Sequence, residues 1–411
     1  GYIVLPIGMG ALCDFSPRRR DTVLERHIYS GGQTGFTMPT VGIVAAGRGL
    51  GCIIDTPFDC KIRAELNHGT RSLYAFSLVW RFDSRTNYPR KAHYFPIGGG
   101  YVELAKRYRS ELIRSGRYAS LREKARRDPE VAQLAGALLG HRRLSVEGED
   151  SSQTSAYAFF KRCLEQGFDR VVVHNVWRGR PDDMEKANQY AKSLSPGFRL
   201  SVYENFVDTI RPEEYPEKEG RAPLPRFDES ILLRMRDLSP RPNWRIRRKG
   251  QPDVWTLTVC PSKRLEVARP ELMEMRRVLG RGSIYIDVEG ALPLLDCFDP
   301  RHPVTKSQDA SNRIRLLREV KKLFGVVTTE SLPQDFLCGT IDVGSYFSVF
   351  PHSGFGNSEF RIMPPLIPIP LHPLVWHGSI LNQTATGTTF YQSDPPHAAL
   401  YGWLADTLDD K

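Results

Sequence analysis

The stretch Gly282–Phe336, GSIYIDVEGALPLLDCFDPRHPVTKSQDASNRIRLLREVKKLFGVVTTESLPQDF, decides how the chain is read. Ser283-Ile284-Tyr285-Ile286 and Val326-Val327-Thr328-Thr329 are short β-branched and aromatic runs, the composition of buried strands. Between them, Ile314, Leu317, Val320, Lys321 and Phe324 recur near helical spacing, which predicts a helix over 312–323 with one apolar face for a sheet. Strand, helix, strand in this order implies parallel pairing. Both strands then open on the same side, and the acids that follow them, Asp287 and Glu330, face one cleft.

Upstream, the alternation continues from Ala135. Strands are expected at 136–140, 170–175, 198–206, 254–260, 283–288, 326–330, 340–343 and 367–376, with helices at 155–166, 182–194 and 265–279. Eight strands in the segment 134–411 fit a (β/α)8 barrel of the α/β class. An open doubly wound sheet is the alternative, but no GxGxxG follows the first strand. Two interruptions stand out: 213–248, rich in Pro, Glu and Arg, and 351–370, dense in Gly and Pro. Long excursions of this kind over a barrel's C-terminal face shape substrate pockets.

Residues 1–100 read differently. Short Val/Ile/Tyr/Phe runs alternate with Gly, Pro and Asp, the pattern of an antiparallel β-sandwich. Gly98-Gly99-Gly100 reads as a flexible joint, and 101–133 as a helical linker with a solvated basic face. The opening GYIVLP resembles the interior of a β-domain, so the chain reads as a piece of something longer.

Composition narrows the function. The chain has 411 residues and a net charge of +10, carried by arginine clusters that lack interleaved aromatic residues. A solvated surface is expected rather than a nucleic-acid groove. No apolar run is long enough for a membrane span. Seven scattered cysteines without CxxC pairing predict neither a metal site nor a disulfide scaffold, and no cofactor motif is present.

The polar residues at expected strand ends are His141, His174, Asn175, Trp177, Glu204, Asn205, Asp208, Asp287, Glu289, Glu330, Asp335, Asp342, Tyr346, His372, Trp376 and His377. No Ser-His-Asp order, HExxH or nucleophile elbow occurs among them. Carboxylates with aromatic platforms suit sugars: one carboxylic acid protonates the leaving oxygen, and a second carboxylate attacks the anomeric carbon or activates water. Asp299-Pro300-Arg301-His302-Pro303 reads as a rigid turn, and Thr305 with Asp309 as a helix start.

In order along the chain, IYIDVEGA, CFDPRHPVTKSQDASNR, FGVVTTES and IPIPLHPLVWHG resemble the catalytic barrel of the endo-α-N-acetylgalactosaminidase family, glycoside hydrolase family 101, and its exo-acting relatives. GYIVLPIGMGAL and YVELAKRYRSELI resemble the sandwich-to-barrel junction of those relatives, whose sandwich is galactose-mutarotase-like. The resemblance implies a retaining α-glycosidase for N-acetylgalactosamine or another galactose-configured sugar, with Asp287 as nucleophile and Glu330 as acid/base. Ser331 stands where the family carries Gly, and Asp335 is the fallback acid. His174, Trp177, Glu204, Asn205, Asp208, Asp342, Tyr346, His372 and His377 are the expected sugar-binding residues. The partner implied is a glycan, which favours an exported or secreted setting, and a barrel that has lost the reaction but still binds glycans is the competing expectation.

Overall fold

The computed structural model describes residues 1–14, 22–32, 35–67, 72–83, 85–142, 144–145, 154–175, 181–214, 224–247, 250, 252–346 and 366–384. Its N-terminal part is two antiparallel sheets. One has six strands in the order Leu366–Pro368, Ala11–Asp14, Tyr2–Leu5, Thr40–Ala45, Arg48–Ile54 and Ala92–Ile97; the other has three, Thr22–His27, Cys60–Asn67 and Ser72–Trp80. Alternation along these strands sends Ile3, Leu5, Val41, Cys52 and Ile54 into one buried core with Leu24, Ile62 and Ala64. Val4, Val44, Ile53 and Ile97 point the other way, onto Leu104, Ala105, Tyr108 and Leu112 of the helix Gly100–Arg114. That helix starts where the Glu103 carboxylate accepts the N–H groups of Gly98 and Gly99, so the glycine run is a capped turn rather than a loose joint.

The second part is a curled parallel sheet of seven strands. Their order is Leu381–Thr384, Val343–Tyr346, Gly325–Glu330, Gly282–Ile286, Gly197–Glu204, Arg170–Asn175 and Leu138–Arg142. Every pairing is parallel. The helices Ala156–Glu165, Pro181–Leu194, Pro261–Leu279 and Lys306–Phe324 bury Phe160, Met184, Leu272, Met275, Leu317 and Val320 against Val171, Val173, Leu200, Val202, Ile284, Ile286 and Val327. The sheet curls far enough that its edge strands come within 8 Å between Cα atoms. No ladder joins those edges among the described residues, so seven strands stand where eight were expected. Val326, Val343 and Leu381 close the lower end together with Leu121 and Val131 of the linker helices Leu121–Arg127 and Pro129–Ala132, and with Leu134 just after them.

Two expected barrel strands lie elsewhere. Val254–Thr258 pairs antiparallel with Asp208–Thr209 and Pro242–Ile246, forming a separate three-stranded sheet from one strand of the polar excursion and the two that flank it. The segment 367–376 holds Pro368, Pro370 and Pro373, which cannot donate to a central ladder. It forms instead an edge strand, Leu366–Pro368, on the N-terminal sheet, followed by the helix Leu371–Trp376. The strand that completes the parallel sheet is Leu381–Thr384.

Candidate active site

Parallel register brings the two acids together. Tyr285 pairs with Thr328 and Ile286 with Thr329, so Asp287 and Glu330 leave adjacent strands at one level. Ser283, Tyr285 and Asp287 alternate onto the interior face, while Ile284 and Ile286 face the helices. Beneath Asp287 the interior is polar and aromatic. Tyr203 and Tyr285 stack with centroids 5.3 Å apart, and the Tyr203 hydroxyl donates to Asp287 Oδ2.

The carboxyls of Asp287 and Glu330 lie within hydrogen-bonding reach of each other. This is inside the separation of about 5 to 5.5 Å that a retaining pair keeps around a sugar. Burial raises the Asp287 carboxyl to about 7, with the Asp208 charge adding to it and the Tyr203 hydroxyl opposing it. Burial also raises Glu330 well above the usual carboxylate range, and the neighbouring Asp287 charge adds to that. Both carboxyls are thus pushed toward their protonated forms, and the pair holds a proton more tightly than two free carboxyls would.

The backbone just after each acid is unusual. Val288 has φ +66° and Ser331 φ +65°, left-handed values costly for a side chain that is not glycine. Ser331 thus occupies a conformation that glycine adopts freely. The two turns meet through Gly290, whose N–H donates to Thr329 Oγ1 at 3.1 Å. A Cβ on Gly290 would come 2.5 Å from the Glu330 carbonyl oxygen.

A buried ionic cluster fixes the loop after Asp287. Glu289 is fully buried and pairs with Arg264 at 2.8 Å, while Arg313 binds Asp309 at 2.8 Å and donates to the carbonyls of Glu289, Leu292 and Pro293. Thr305 starts the helix, as expected, but the helix runs Lys306–Phe324, six residues earlier than 312, and Gln308 completes a capping box with Thr305. Asp309 follows in the first turn, yet it serves Arg313 and the N–H of Leu295 as well.

The remaining predicted residues separate into groups. Asp208 is buried and accepts from Asn205, Asn243 and Thr256 at 2.6–2.8 Å, while Asn205 Oδ1 accepts the N–H groups of Val207 and Asp208. Both build the wall beside the acids. Glu204 is buried, and alternation places it with Leu200 and Val202 on the helix-facing side of its strand. His174 lies lower in the interior, its Nε2 2.8 Å from Ser283 Oγ. Trp177 lies outside the described residues; for Tyr346 the structure describes only the backbone, at the end of Val343–Tyr346.

Four expectations are corrected by position. Asp342 precedes its strand, at the opposite end of the sheet, where it binds Lys321 at 2.6 and 2.7 Å and the N–H of Val327 at 3.0 Å. His372 sits in the Leu371–Trp376 helix, fully buried, with Nε2 3.0 Å from the Pro333 carbonyl; burial lowers its pKa to about 3. His377 ends that helix below the Leu381–Thr384 strand, its carbonyl accepting the Tyr118 hydroxyl at 2.5 Å. Asp335, the fallback acid, is buried at the junction of the two parts, bonded to Tyr108 and to Tyr29.

The sequence reading passed over one contributor. The Ser30-Gly31-Gly32 loop of the N-terminal part docks on the turns behind both acids, with the Gly32 N–H donating to the Ala291 carbonyl at 3.0 Å. A Cβ on Gly32 would lie 2.6 Å from the Leu332 oxygen and 2.7 Å from the Gly290 oxygen. The signal was the Gly-Gly pair between strands, a mark of close backbone approach. The excursion sheet also exposes Trp244 and Trp255, at 64% and 47%. Trp244, inside the polar, Arg- and Pro-rich excursion 213–248, was the available clue.

No family model and no curated protein matches the chain. Solved structures do. Alpha-N-acetylgalactosaminidase NagBb from Bifidobacterium bifidum, in its Gal-NHAc-DNJ complex, superposes on 92% of this chain with a TM-score of 0.69 at 17% identity. The ligand-free form of NagBb covers 98% with a TM-score of 0.68 at 16% identity. This chain spans 63% of the first of those NagBb chains and 74% of the second. A cycloalternan-degrading enzyme from Trueperella pyogenes covers the whole chain with a TM-score of 0.50 at 11% identity, and this chain spans 64% of it. At such identities the likeness is one of fold, a fold found in glycoside hydrolases that does not single out the endo-acting family the motifs resemble.

Proposed function

We propose that the chain is a retaining α-glycosidase for α-linked N-acetylgalactosamine or a related galactose-configured sugar. The observation that carries this reading is the Asp287–Glu330 pair: a buried and a half-buried carboxyl at adjacent strand ends, both with raised pKa values. The fold shared with NagBb, an α-N-acetylgalactosaminidase, supports the sugar class.

In the proposed cycle, a glycoside enters with its anomeric carbon between the two groups. Glu330, half-buried at the rim, swings its proton from Asp287 to the glycosidic oxygen. Asp287 attacks the anomeric carbon, and the aglycone leaves with the Glu330 proton. Glu330 then takes a proton from water, whose oxygen displaces Asp287 and regenerates the starting state. Tyr203 holds Asp287 by its Oδ2, which leaves the other carboxylate oxygen for attack. The polar wall around Asp208 and the exposed Trp244 and Trp255 supply hydroxyl partners and flat apolar faces for the rest of the glycan.

The test is release of aryl groups from α-N-acetylgalactosaminide, α-galactoside and α-glucoside by the wild type, Asp287→Asn and Glu330→Gln. Preferential release from the first substrate, lost in both variants, is expected. Equal release by all three proteins would remove these acids from catalysis. Glycan binding without any release would favour a non-hydrolytic binding barrel.

A further inference from the structure

A second cluster of reactive side chains lies apart from the two acids. Cys260 heads the helix Pro261–Leu279, and Cys297 and His302 belong to the loop between Asp287 and the helix Lys306–Phe324. Their two sulfurs and one ring nitrogen all lie within 4.8 Å of one another. Both cysteines are fully buried, and the His302 side chain is 7% exposed.

We propose that Cys260, Cys297 and His302 form a binding site for a thiophilic divalent cation of the zinc type. In a tetrahedral zinc site, bonds of about 2.3 Å to sulfur and 2.0–2.1 Å to nitrogen place the donor atoms roughly 3.5–3.8 Å apart. Cys297 Sγ and His302 Nδ1 already stand 3.7 Å apart. The other ring nitrogen, Nε2, faces Asp299 Oδ2 at 3.4 Å. Asp299 thus stands on the side from which a carboxylate orients a metal-binding histidine, close to the ring nitrogen but without a hydrogen bond to it. Arg301 in turn grips both Asp299 oxygens, at 3.0 and 2.7 Å, so the orienting group is itself held.

Charge and second contacts agree with a cation. Two thiolates would neutralise a divalent ion and leave the imidazole neutral. The Arg234 N–H donates to Cys297 Sγ at 3.4 Å, a contact typical of thiolate stabilisation. Ser262 Oγ lies 3.3 Å from Cys260 Sγ, a second polar contact to that sulfur, and water would complete the coordination of the ion. A Cys260–Cys297 disulfide is the rival, and it gives no role to the oriented His302. The ion would tie the loop that leaves Asp287 to the helix whose Arg264 holds Glu289. This staple stands whatever reaction the two acids perform.

The test uses the full chain, purified reduced, stripped with a chelator and titrated with Zn2+ and, separately, with Co2+. One Zn2+ per chain is expected, and Co2+ should give near-ultraviolet thiolate charge-transfer absorption. Cys260→Ser and Cys297→Ser should each remove about half of that absorption, and His302→Ala should weaken Zn2+ binding by tenfold or more, while the control Cys163→Ser changes neither. Failure of the reduced wild type to bind one Zn2+ would overturn the proposal without recourse to any variant. Binding that survives in the Cys260→Ser/Cys297→Ser double variant, or mass spectra showing a Cys260–Cys297 disulfide in protein purified without reductant, would also overturn it.

Discussion

Asp287→Asn should make the protein more stable at alkaline pH while abolishing turnover. The folded chain holds the Asp287 carboxyl at about 7, against an ordinary value of 3.8. The native state therefore keeps a proton between those values that the unfolded chain has lost. Wild-type stability falls as pH rises through this window and carries the full cost above it. About 3 pH units at roughly 1.4 kcal/mol each give an upper figure of about 4 kcal/mol. Asparagine removes the charge, keeps an oxygen to accept from Tyr203, and relieves the electrostatic pressure on Glu330. A gain of about 2–4 kcal/mol at pH 8 is the expected result, shrinking to nearly zero below pH 4. Urea unfolding followed by tryptophan fluorescence at pH 8, 6 and 4 measures it. Equal stability of the two proteins at pH 8, or a difference that grows toward acid, would refute the claim that burial rather than a counter-charge governs Asp287.

Tyr203→Phe removes the hydroxyl that lowers the Asp287 pKa, so the acid limb of kcat/KM should move upward from about 7 by roughly one pH unit; an unmoved limb would mean that Tyr203 does not hold the ionised group. Ser331→Gly frees a left-handed backbone position and removes a buried hydroxyl that has no hydrogen-bond partner among the described residues, and it should raise stability by about 1 kcal/mol in urea unfolding. A loss of stability there would contradict the strained geometry. Gly32→Ala places a methyl against two carbonyl oxygens behind the acids, so it should cost about 1–3 kcal/mol and lower kcat as the loop lifts away. Unchanged thermal unfolding and turnover would show that the loop does not dock as described.

The strand-helix-strand unit was legible because every local preference in it agrees. Its strand residues are β-branched, its helix carries one apolar face and a capping box, and Gly325 ends the helix at φ +102°. Strand alternation then fixes Asp287 on the interior face together with Ser283 and Tyr285. Misplacement followed where a boundary moved by a few residues. Taking 340–343 as a strand put Asp342 at its exit, whereas the strand Val343–Tyr346 leaves Asp342 at its entrance, bound to Lys321. The Pro-rich 367–376 segment carried its own warning, since proline withholds the N–H groups a central strand needs.

By itself, then, the sequence determined the parallel unit, the antiparallel N-terminal part and the adjacency of Asp287 and Glu330, because these rest on period, propensity and strand direction within short windows. Tertiary structure alone raised both carboxyl pKa values, since that depends on burial and, for Asp287, on Tyr203 and Asp208 from another strand and its loop. It alone brought Gly32 behind the acids and set Cys260 beside Cys297 and His302, residues that a helix and a strand separate in the chain. Such contacts are made by packing between elements, and no local pattern in the chain encodes them.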